Sequence, residues 1–319
     1  MIKILANDGI SQSGISALES KGFKIDTKHV PQDQLAQEIN SKNYEVLLVR
    51  SATTVRKNLI DVCPKLKIIG RGGVGMDNID VVYAREKGIT VINTPAASSS
   101  SVAELVFAHL FGMVRFLFDS NRQMPLSGDA DFKALKKSYA NGTELAGKTL
   151  GIVGFGRIGK EVAKKAIGLG MNVIANDKFV KEEVITLDFF NGDKKSFKIV
   201  TQKLKDVLNK SDFVTLHVPK DGNKAVIGAE EIGLMKTGAG ILNVSRGGVI
   251  DETALMFALD KQKLAYAGLD VYDNEPNPSI HICMHNAISL TPHIGAATKE
   301  AQQRIGTELA DQISSYFEK

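Results

Sequence analysis

Two cysteines, Cys63 and Cys283, stand alone in 319 residues. They are too few and too isolated for a disulfide framework or a zinc-ligand cluster, so no metal is expected and a reducing compartment, the cytoplasm, is. Charge of one sign is also scarce. Forty Lys+Arg against 36 Asp+Glu leave a net +4, with no basic block of the kind that meets nucleic-acid phosphates, so nucleic acid is not an expected partner. A long unbroken apolar run is missing too. The stretch from Ser101 to Asp119, expected as one buried helix, carries Glu104, His109 and Arg115, whose polarity is costly at the centre of a bilayer, so no membrane partner is expected. The opening Met1-Ile2-Lys3-Ile4-Leu5 reads as a strand, without the apolar core and small-residue cleavage site of an export signal. Repeats and low-complexity tracts are absent.

What the chain does have is 43% hydrophobic residues, enough for two domains with separate cores. Short apolar runs, Lys3-Ile4-Leu5-Ala6, Glu45 to Val49, Lys67 to Gly70 and Ile89 to Ile92, alternate with helical periods and polar loops over the first hundred residues. Ser11 is a natural N-cap. A second alternating series runs through 149–153, 171–176, 212–217, 239–244, 265–269 and 287–290. The fold class is therefore α/β, with two doubly wound parallel sheets. Between the series, Asn121 to Gly142, with Pro125, Gly128 and clustered lysines, is expected as a loop-rich connection. The segment 185–198 carries Asn191-Gly192 between apolar alternations, the signature of a hairpin. A last helix is expected over about 298–317.

The strongest local signal is the strand Thr149-Leu150-Gly151-Ile152-Val153 running into Gly154-Phe155-Gly156-Arg157-Ile158-Gly159 and then into helical sequence. Gly154 permits the turn, Gly156 lets a pyrophosphate approach the backbone, and Gly159 lets the helix pack on the strand. The helix start offers free N–H groups and a favourable dipole end to phosphate. The next strand ends on Asp177, eighteen residues after Gly159. A carboxylate there accepts ribose hydroxyls and repels a 2′-phosphate, favouring NAD over NADP. Three further candidates follow later strands: Arg246 in Asn243-Val244-Ser245-Arg246-Gly247-Gly248, Glu275 in Asp270-Val271-Tyr272-Asp273-Asn274-Glu275-Pro276, and His293 in Thr291-Pro292-His293-Ile294-Gly295. Each alone could be a surface charge, a turn acid or a core histidine. In a parallel sheet, however, the C-terminal strand ends line the ligand crevice, and a guanidinium suits bidentate carboxylate binding.

These motifs, with Gly73-Val74-Gly75-Met76-Asp77-Asn78 and Asn93-Thr94-Pro95, resemble those of the D-isomer-specific 2-hydroxyacid dehydrogenases along essentially the whole chain. Within that family the resemblance is to the D-3-phosphoglycerate dehydrogenases, carried by Val49-Arg50-Ser51-Ala52-Thr53, Ile69-Gly70-Arg71-Gly72-Gly73 and Glu144-Leu145-Ala146-Gly147-Lys148-Thr149. It implies NAD-linked oxidation of 3-phospho-D-glycerate, the first step of phosphorylated serine biosynthesis. Two other readings share the motifs, a glyoxylate or hydroxypyruvate reductase and a non-enzymatic NAD-binding corepressor scaffold.

The resemblance also implies a discontinuous substrate domain, 1–98 with 294–319, an NAD domain over 99–293, an active-site cleft between them, and a homodimer formed near Ser101–Asp119. His293 becomes the acid–base group, Glu275 its partner, and Arg246 the ligand of substrate carboxylate and carbonyl oxygen. Cofactor contacts carry over to Val74, Arg157, Ile158, His217, Val218, Pro219, Val244, Ser245, Asp270, Gly295 and Ala296, with Asp270 meeting the nicotinamide carboxamide. Substrate contacts carry over to Arg50, Ser51, Arg71, Gly72 and Gly73, with Lys137 as an auxiliary. An arginine cluster suits a phosphorylated acid, whose dianion needs charge-assisted donors. The chain stops soon after its last helix, so C-terminal regulatory domains and serine feedback are not expected.

Overall fold

The structure, a computed structural model, describes every residue except Asp221, Asn223 and Lys319. Its contacts divide the chain into two compact units, Met1–Ser101 with Ala296–Lys319, and Val102–Gly295. The divisions fall at 101/102 and 295/296, two or three residues beyond the positions read from the sequence. The first lies inside a continuous helix rather than in a loop.

The first unit contains β1 (Lys3–Ala6), α1 (Gln12–Ser20), β2 (Lys24–Asp26), α2 (Leu35–Lys42), β3 (Val46–Val49), α3 (Lys57–Val62), β4 (Ile68–Arg71), α4 (Val81–Glu86) and β5 (Thr90–Asn93). The strands form one sheet in the order β2-β1-β3-β4-β5, parallel throughout. All four residues of β3 are buried, as a strand covered on both faces requires. The chain passes from β1 to β2 on one side and returns to β3 on the other. The crevice beyond β1 and β3 is thus a topological switch point, and the loops there hold Asn7-Asp8 and Arg50-Ser51.

The second unit is built on α5 (Ser99–Val114), α6 (Leu117–Ser127), α7 (Phe132–Ser138), β6 (Thr149–Val153), α8 (Arg157–Gly168), β7 (Asn172–Asn176), β8 (Glu182–Asp188), β9 (Lys194–Val200), α9 (Leu204–Lys210), β10 (Phe213–Leu216), α10 (Ala229–Leu234), β11 (Ala239–Asn243), α11 (Glu252–Asp260), β12 (Leu264–Leu269), α12 (Ile280–Met284) and β13 (Ile288–Leu290). Its sheet runs β13-β12-β11-β10-β6-β7, again parallel, with its switch point between β6 and β10. The hairpin read from Asn191-Gly192 is β8–β9, paired in antiparallel register from Glu182↔Val200 to Asp188↔Lys194. Gly192 takes φ +89 at its tip. A bridge from Ala175 to Thr201 sets the hairpin against the β7 edge.

Two expectations fail in the connecting region. The stretch 101–119 is not one helix, because Arg115 and Phe116 separate α5 from α6, and Phe116 adopts a left-handed φ of 53. The two axes bend by 53°, and among the described residues no single helix is long and apolar enough to cross a membrane. Asn121–Gly142 is not loop-rich but mostly helical. Pro125 lies inside α6, where it removes the N–H that would reach the carbonyl of Asn121 and crowds that carbonyl with its ring. Tertiary contacts hold the pair, with Tyr139 Oη donating to Asp119 Oδ2 at 2.7 Å and the Phe116 and Tyr139 rings 6.0 Å apart.

The chain ends its regular structure in α13 (Lys299–Phe317), capped by Thr298, whose hydroxyl accepts from Ala301 N. Ile305, Leu309, Ala310 and Ile313 of this helix are buried with Ile4, Leu18 and Leu48 in one core cluster. The close approach of α1 and α13 is made by two glycines. A Cβ on Gly306 would overlap Ser11 Oγ and lie 3.1 Å from Gly14 Cα. Gly306→Val should therefore push the helices apart and lower unfolding stability by about 2 kcal/mol. An unchanged urea midpoint would show that the contact is looser than it looks.

Candidate active site

The glycine turn is shaped by backbone sterics. Gly154 has φ +93, a left-handed value costly for residues with a Cβ. A Cβ on Gly159 would run into Gly154 O, so helix α8 can start so close to β6 only with glycine there. Around Gly156 nothing lies within 4 Å of such an atom, which leaves room for a pyrophosphate at the helix start. Arg157 and Ile158 are the first two residues of α8, Arg157 exposed and Ile158 half-buried.

Asp177 lies just past β7. Its Oδ2 accepts from Phe155 N at 2.6 Å, and its Oδ1 from Phe179 N and Val180 N at 2.8 and 2.9 Å. Burial pushes this carboxyl up, but the three backbone N–H groups outweigh it and hold its pKa below the usual value. The carboxylate is thus fixed against the glycine turn, and Oδ2 keeps a lone pair for a hydroxyl. Beyond β10, the half-buried His217 has Nε2 3.0 Å from Thr215 Oγ1, while its buried Nδ1 has no partner among the described residues. Burial pulls the imidazole down to about 3, so the ring is neutral. Val218 is half-buried and Pro219 exposed just after it, and Val244 and Ser245 are buried at the end of β11. Open space over a helix N-terminus, a fixed carboxylate and an orphaned buried nitrogen together fit a dinucleotide.

Arg246, Glu275 and His293 all belong to the second unit and follow β11, β12 and β13. Asn243 shapes the first of these loops. Its Nδ2 donates to Arg246 O at 2.8 Å, and its Oδ1 accepts from Ser245 N and Ser245 Oγ. A Cβ on Gly247 would collide with the Tyr272 carbonyl, so the Arg246 loop lies directly against the one bearing Glu275. Glu275 Oε1 accepts from Tyr272 N at 3.0 Å, and its Oε2 meets His293 Nδ1 at 2.8 Å. A carboxylate has only lone pairs to offer, so Nδ1 carries the hydrogen and Nε2 is the atom left to gain or lose a proton. His293 itself sits at φ +55.

The resemblance assigned Asp270 to the cofactor carboxamide, but the structure also gives this carboxylate three partners in its own chain. Oδ1 accepts from Thr291 Oγ1 at 2.6 Å and Ile294 N at 2.8 Å, and Oδ2 from Gly295 N at 2.8 Å. The site thus includes residues to which the sequence assigned no role: Asn243, Thr291 and, beneath them, His109. A lone histidine on an apolar helix was the available signal for the last.

The remaining candidates, Lys137 apart, lie in the first unit. Asp8 Oδ2 accepts from Arg50 N at 2.6 Å and Thr53 N at 3.1 Å, and Asn78 Nδ2 donates to the carbonyls of both residues. The loop bearing Arg50 and Ser51 is therefore held from two sides. Arg71 Nη1 donates to Gly72 O at 2.9 Å, and Gly73 turns at φ +150. Val74 O accepts from Asn93 Nδ2, and Ala296 O from Gln302 Nε2. Lys137 lies in α7, in the second unit. No group of three or more His, Cys, Asp or Glu able to hold a metal occurs among the described residues.

The depressed His217 pKa has a consequence for stability. Below its ordinary value of 6.5 the unfolded chain binds a proton that the folded chain refuses. Stability should fall as pH drops from 6.5 toward 3, by about 1.4 kcal/mol per unit for one proton. His217→Asn should remove that share of the slope in urea unfolding between pH 4 and 6. An identical slope in the variant would mean the ring titrates normally.

Residues 107–295 match the model of the D-isomer specific 2-hydroxyacid dehydrogenase, NAD binding domain. A D-3-phosphoglycerate dehydrogenase of Methanocaldococcus jannaschii is 40% identical over 314 residues, 98% of this chain and 57% of its own length. The chain thus spans little more than half of that relative. A hydroxypyruvate reductase of Thermotoga maritima is 39% identical over 318 residues, covering 98% of this chain and 97% of its own. Among solved structures, a glyoxylate reductase from Paecilomyes thermophila superposes with a TM-score of 0.80 at 28% identity, over 100% of this chain and 96% of that one. With a glycine turn, a nucleotide-binding sheet and the Arg246, Glu275 and His293 loops on one unit, the chain belongs to the D-isomer-specific 2-hydroxyacid dehydrogenases.

Proposed function

We propose that this protein interconverts a D-2-hydroxy acid and its 2-keto acid with NAD, and that 3-phospho-D-glycerate is its substrate, as in phosphorylated serine biosynthesis. The observation that carries the reading is the His293 Nδ1 to Glu275 Oε2 hydrogen bond of 2.8 Å, on strand-end loops of a dinucleotide-binding unit. NAD, when bound, would supply the acceptor for the hydride that leaves C2 of the hydroxy acid. Gly154, Gly156, Gly159, Arg157 and Ile158 would hold its pyrophosphate, and Asp177 its adenosine ribose, whose free hydroxyls a carboxylate prefers to a 2′-phosphate. His217, Val218, Pro219, Val244, Ser245, Asp270, Gly295, Val74 and Ala296 would line the rest.

His293 Nε2 takes the hydroxyl proton in oxidation and returns it to the ketone oxygen in reduction. Glu275 balances the positive charge while the ring is doubly protonated and keeps it in one tautomer. Arg246 orients the substrate carboxylate and stabilises negative charge on the carbonyl oxygen. Arg50, Ser51, Arg71 and the N–H groups of Gly72 and Gly73 are assigned to the substrate's anionic groups, with Lys137 as an auxiliary. The held backbone of the 50–53 loop supports this, since a loop ordered beforehand loses less entropy when it binds an anion.

A second reading, hydroxypyruvate or glyoxylate reduction, is favoured by the Thermotoga maritima relative, which matches along nearly its whole length. Phe111, Leu117, Phe118, Met124, Leu126 and Phe132 are exposed on α5, α6 and α7, which supports a homodimer formed there. Sedimentation at micromolar concentration tests it, and a monomer mass would refute it. Cys63 and Cys283 are both unpaired, in keeping with a cytoplasmic protein.

NADH oxidation should be fastest, by kcat/KM, with phosphohydroxypyruvate among phosphohydroxypyruvate, hydroxypyruvate, glyoxylate and pyruvate. A preference for an unphosphorylated acid would transfer the assignment to the second reading. His293→Ala should cut kcat by about 10²–10⁴ while NADH affinity, read by fluorescence, stays within a few fold. Full turnover in that variant would remove His293 from the chemistry.

A further inference from the structure

His109 lies on α5, 2% exposed, well away in sequence from the strand-end loops. Both of its ring nitrogens are engaged: Nδ1 lies 2.8 Å from Ser289 Oγ and Nε2 3.0 Å from Thr291 Oγ1. The direction of these bonds can be deduced. Thr291 has one hydroxyl hydrogen, and at 2.6 Å from Asp270 Oδ1 it is committed to a carboxylate, which can only accept. Thr291 Oγ1 must therefore accept from His109, so Nε2 carries the hydrogen. Burial pulls the His109 pKa below its ordinary value, against the Asp270 charge, which raises it. The ring is thus neutral, Nδ1 has only a lone pair, and Ser289 Oγ–H donates to it. The hydrogen bonds run one way, from Ser289 through His109 and Thr291 to Asp270, and Asp270 accepts in turn from Ile294 N and Gly295 N.

We propose that His109 is a positioning residue for the acid–base group: by fixing the Thr291 hydroxyl on Asp270 it fixes the Thr291–Gly295 loop that carries His293. The inference rests on the proposed role of His293. Three features set it apart from ordinary packing. Asp270 holds the peptide that follows His293, while Glu275 holds the imidazole, so the residue is gripped at both ends. His293 sits at φ +55, a conformation that a non-glycine residue keeps only when its surroundings impose it. Finally, β12 has a glycine directly over the His109 side chain, and a Cβ on Gly268 would lie 3.1 Å from His109 Cβ and 3.3 Å from its Cγ. A larger residue at 268 would crowd the imidazole away from Thr291.

The test combines readouts with and without turnover. In the ligand-free protein, nitrogen NMR of the imidazole should show the Nε2–H tautomer for His109. His109→Leu and Thr291→Val should each speed hydrogen exchange at the Ile294 and Gly295 amides at least tenfold, with helix content retained. In the assay, each variant should lower kcat about tenfold with KM for the keto acid within twofold, the scale seen when supporting hydrogen bonds of a reactive group are cut. His109→Gln, which keeps an N–H donor, should recover most of the loss. The double variant should be no worse than the poorer single one, because both break one chain. An Nδ1–H tautomer, unchanged exchange, losses that multiply in the double variant, or a Gln variant no better than Leu would each overturn the proposal. His293→Ala serves as the separate control: if it keeps full turnover, the acid–base reading fails, while tautomer and exchange still decide whether His109 orders the loop.

Discussion

Asp270 is 1% exposed, and a carboxylate taken out of water is tolerated only where donors replace its hydration. The second unit meets that demand from several directions. A hydroxyl comes from just beyond β13, two amides from the following loop, and a buried imidazole of α5 holds the hydroxyl in place. Asp270 N in turn donates to Asn243 O at the end of β11, and Asn243 orders the Arg246 loop. Through its backbone N–H and its carboxylate, this one buried residue thus links the ends of three successive strands, and the groups assigned to chemistry hang from the loops it ties. Tyr272 adds a further tie, with Oη donating to Thr291 O at 2.8 Å.

Parallel pairing makes this convergence possible. Arg246, Glu275 and His293 are far apart in sequence, yet each follows a strand of the same sheet, and in a parallel sheet every strand ends on the same edge. Each βα loop contributes one group, so the loops can differ in length while the edge stays constant. The exposure of the trio differs from that of its supports: His293 and Glu275 are open to solvent, whereas Asp270, Asn243 and His109 are buried. Two of the groups assigned to chemistry stand outside a frame of satisfied polar ones.

Much of this was legible in the residues. Strands such as Val46–Val49 and Thr149–Val153 are unbroken apolar runs, and the glycine turn, the carboxylate after β7 and the Asn-Gly hairpin follow local rules that need no tertiary information. The failures share a cause. Asn121–Gly142 looked like a connection because Pro125 and Gly128 are local breakers, yet α6 and α7 are held by contacts with each other. The short β2, Lys24–Asp26, carries too little apolar signal to stand out. His109 was visible as an interruption in an apolar helix, but its partners lie some 180 residues away, and only the fold reveals that a buried imidazole has two hydroxyls to meet.

The Gly14–Gly306 contact bears on the order in which the protein is made. The second unit is continuous in sequence, so all of it is translated before α13. The first unit, although its five strands are synthesised ahead of the second unit, lacks one wall of its core until Ile305, Leu309 and Ile313 arrive to cover Ile4 and Leu48. During synthesis the first sheet therefore waits with an apolar face uncovered while the second unit is made. The unit begun before the other is completed after it.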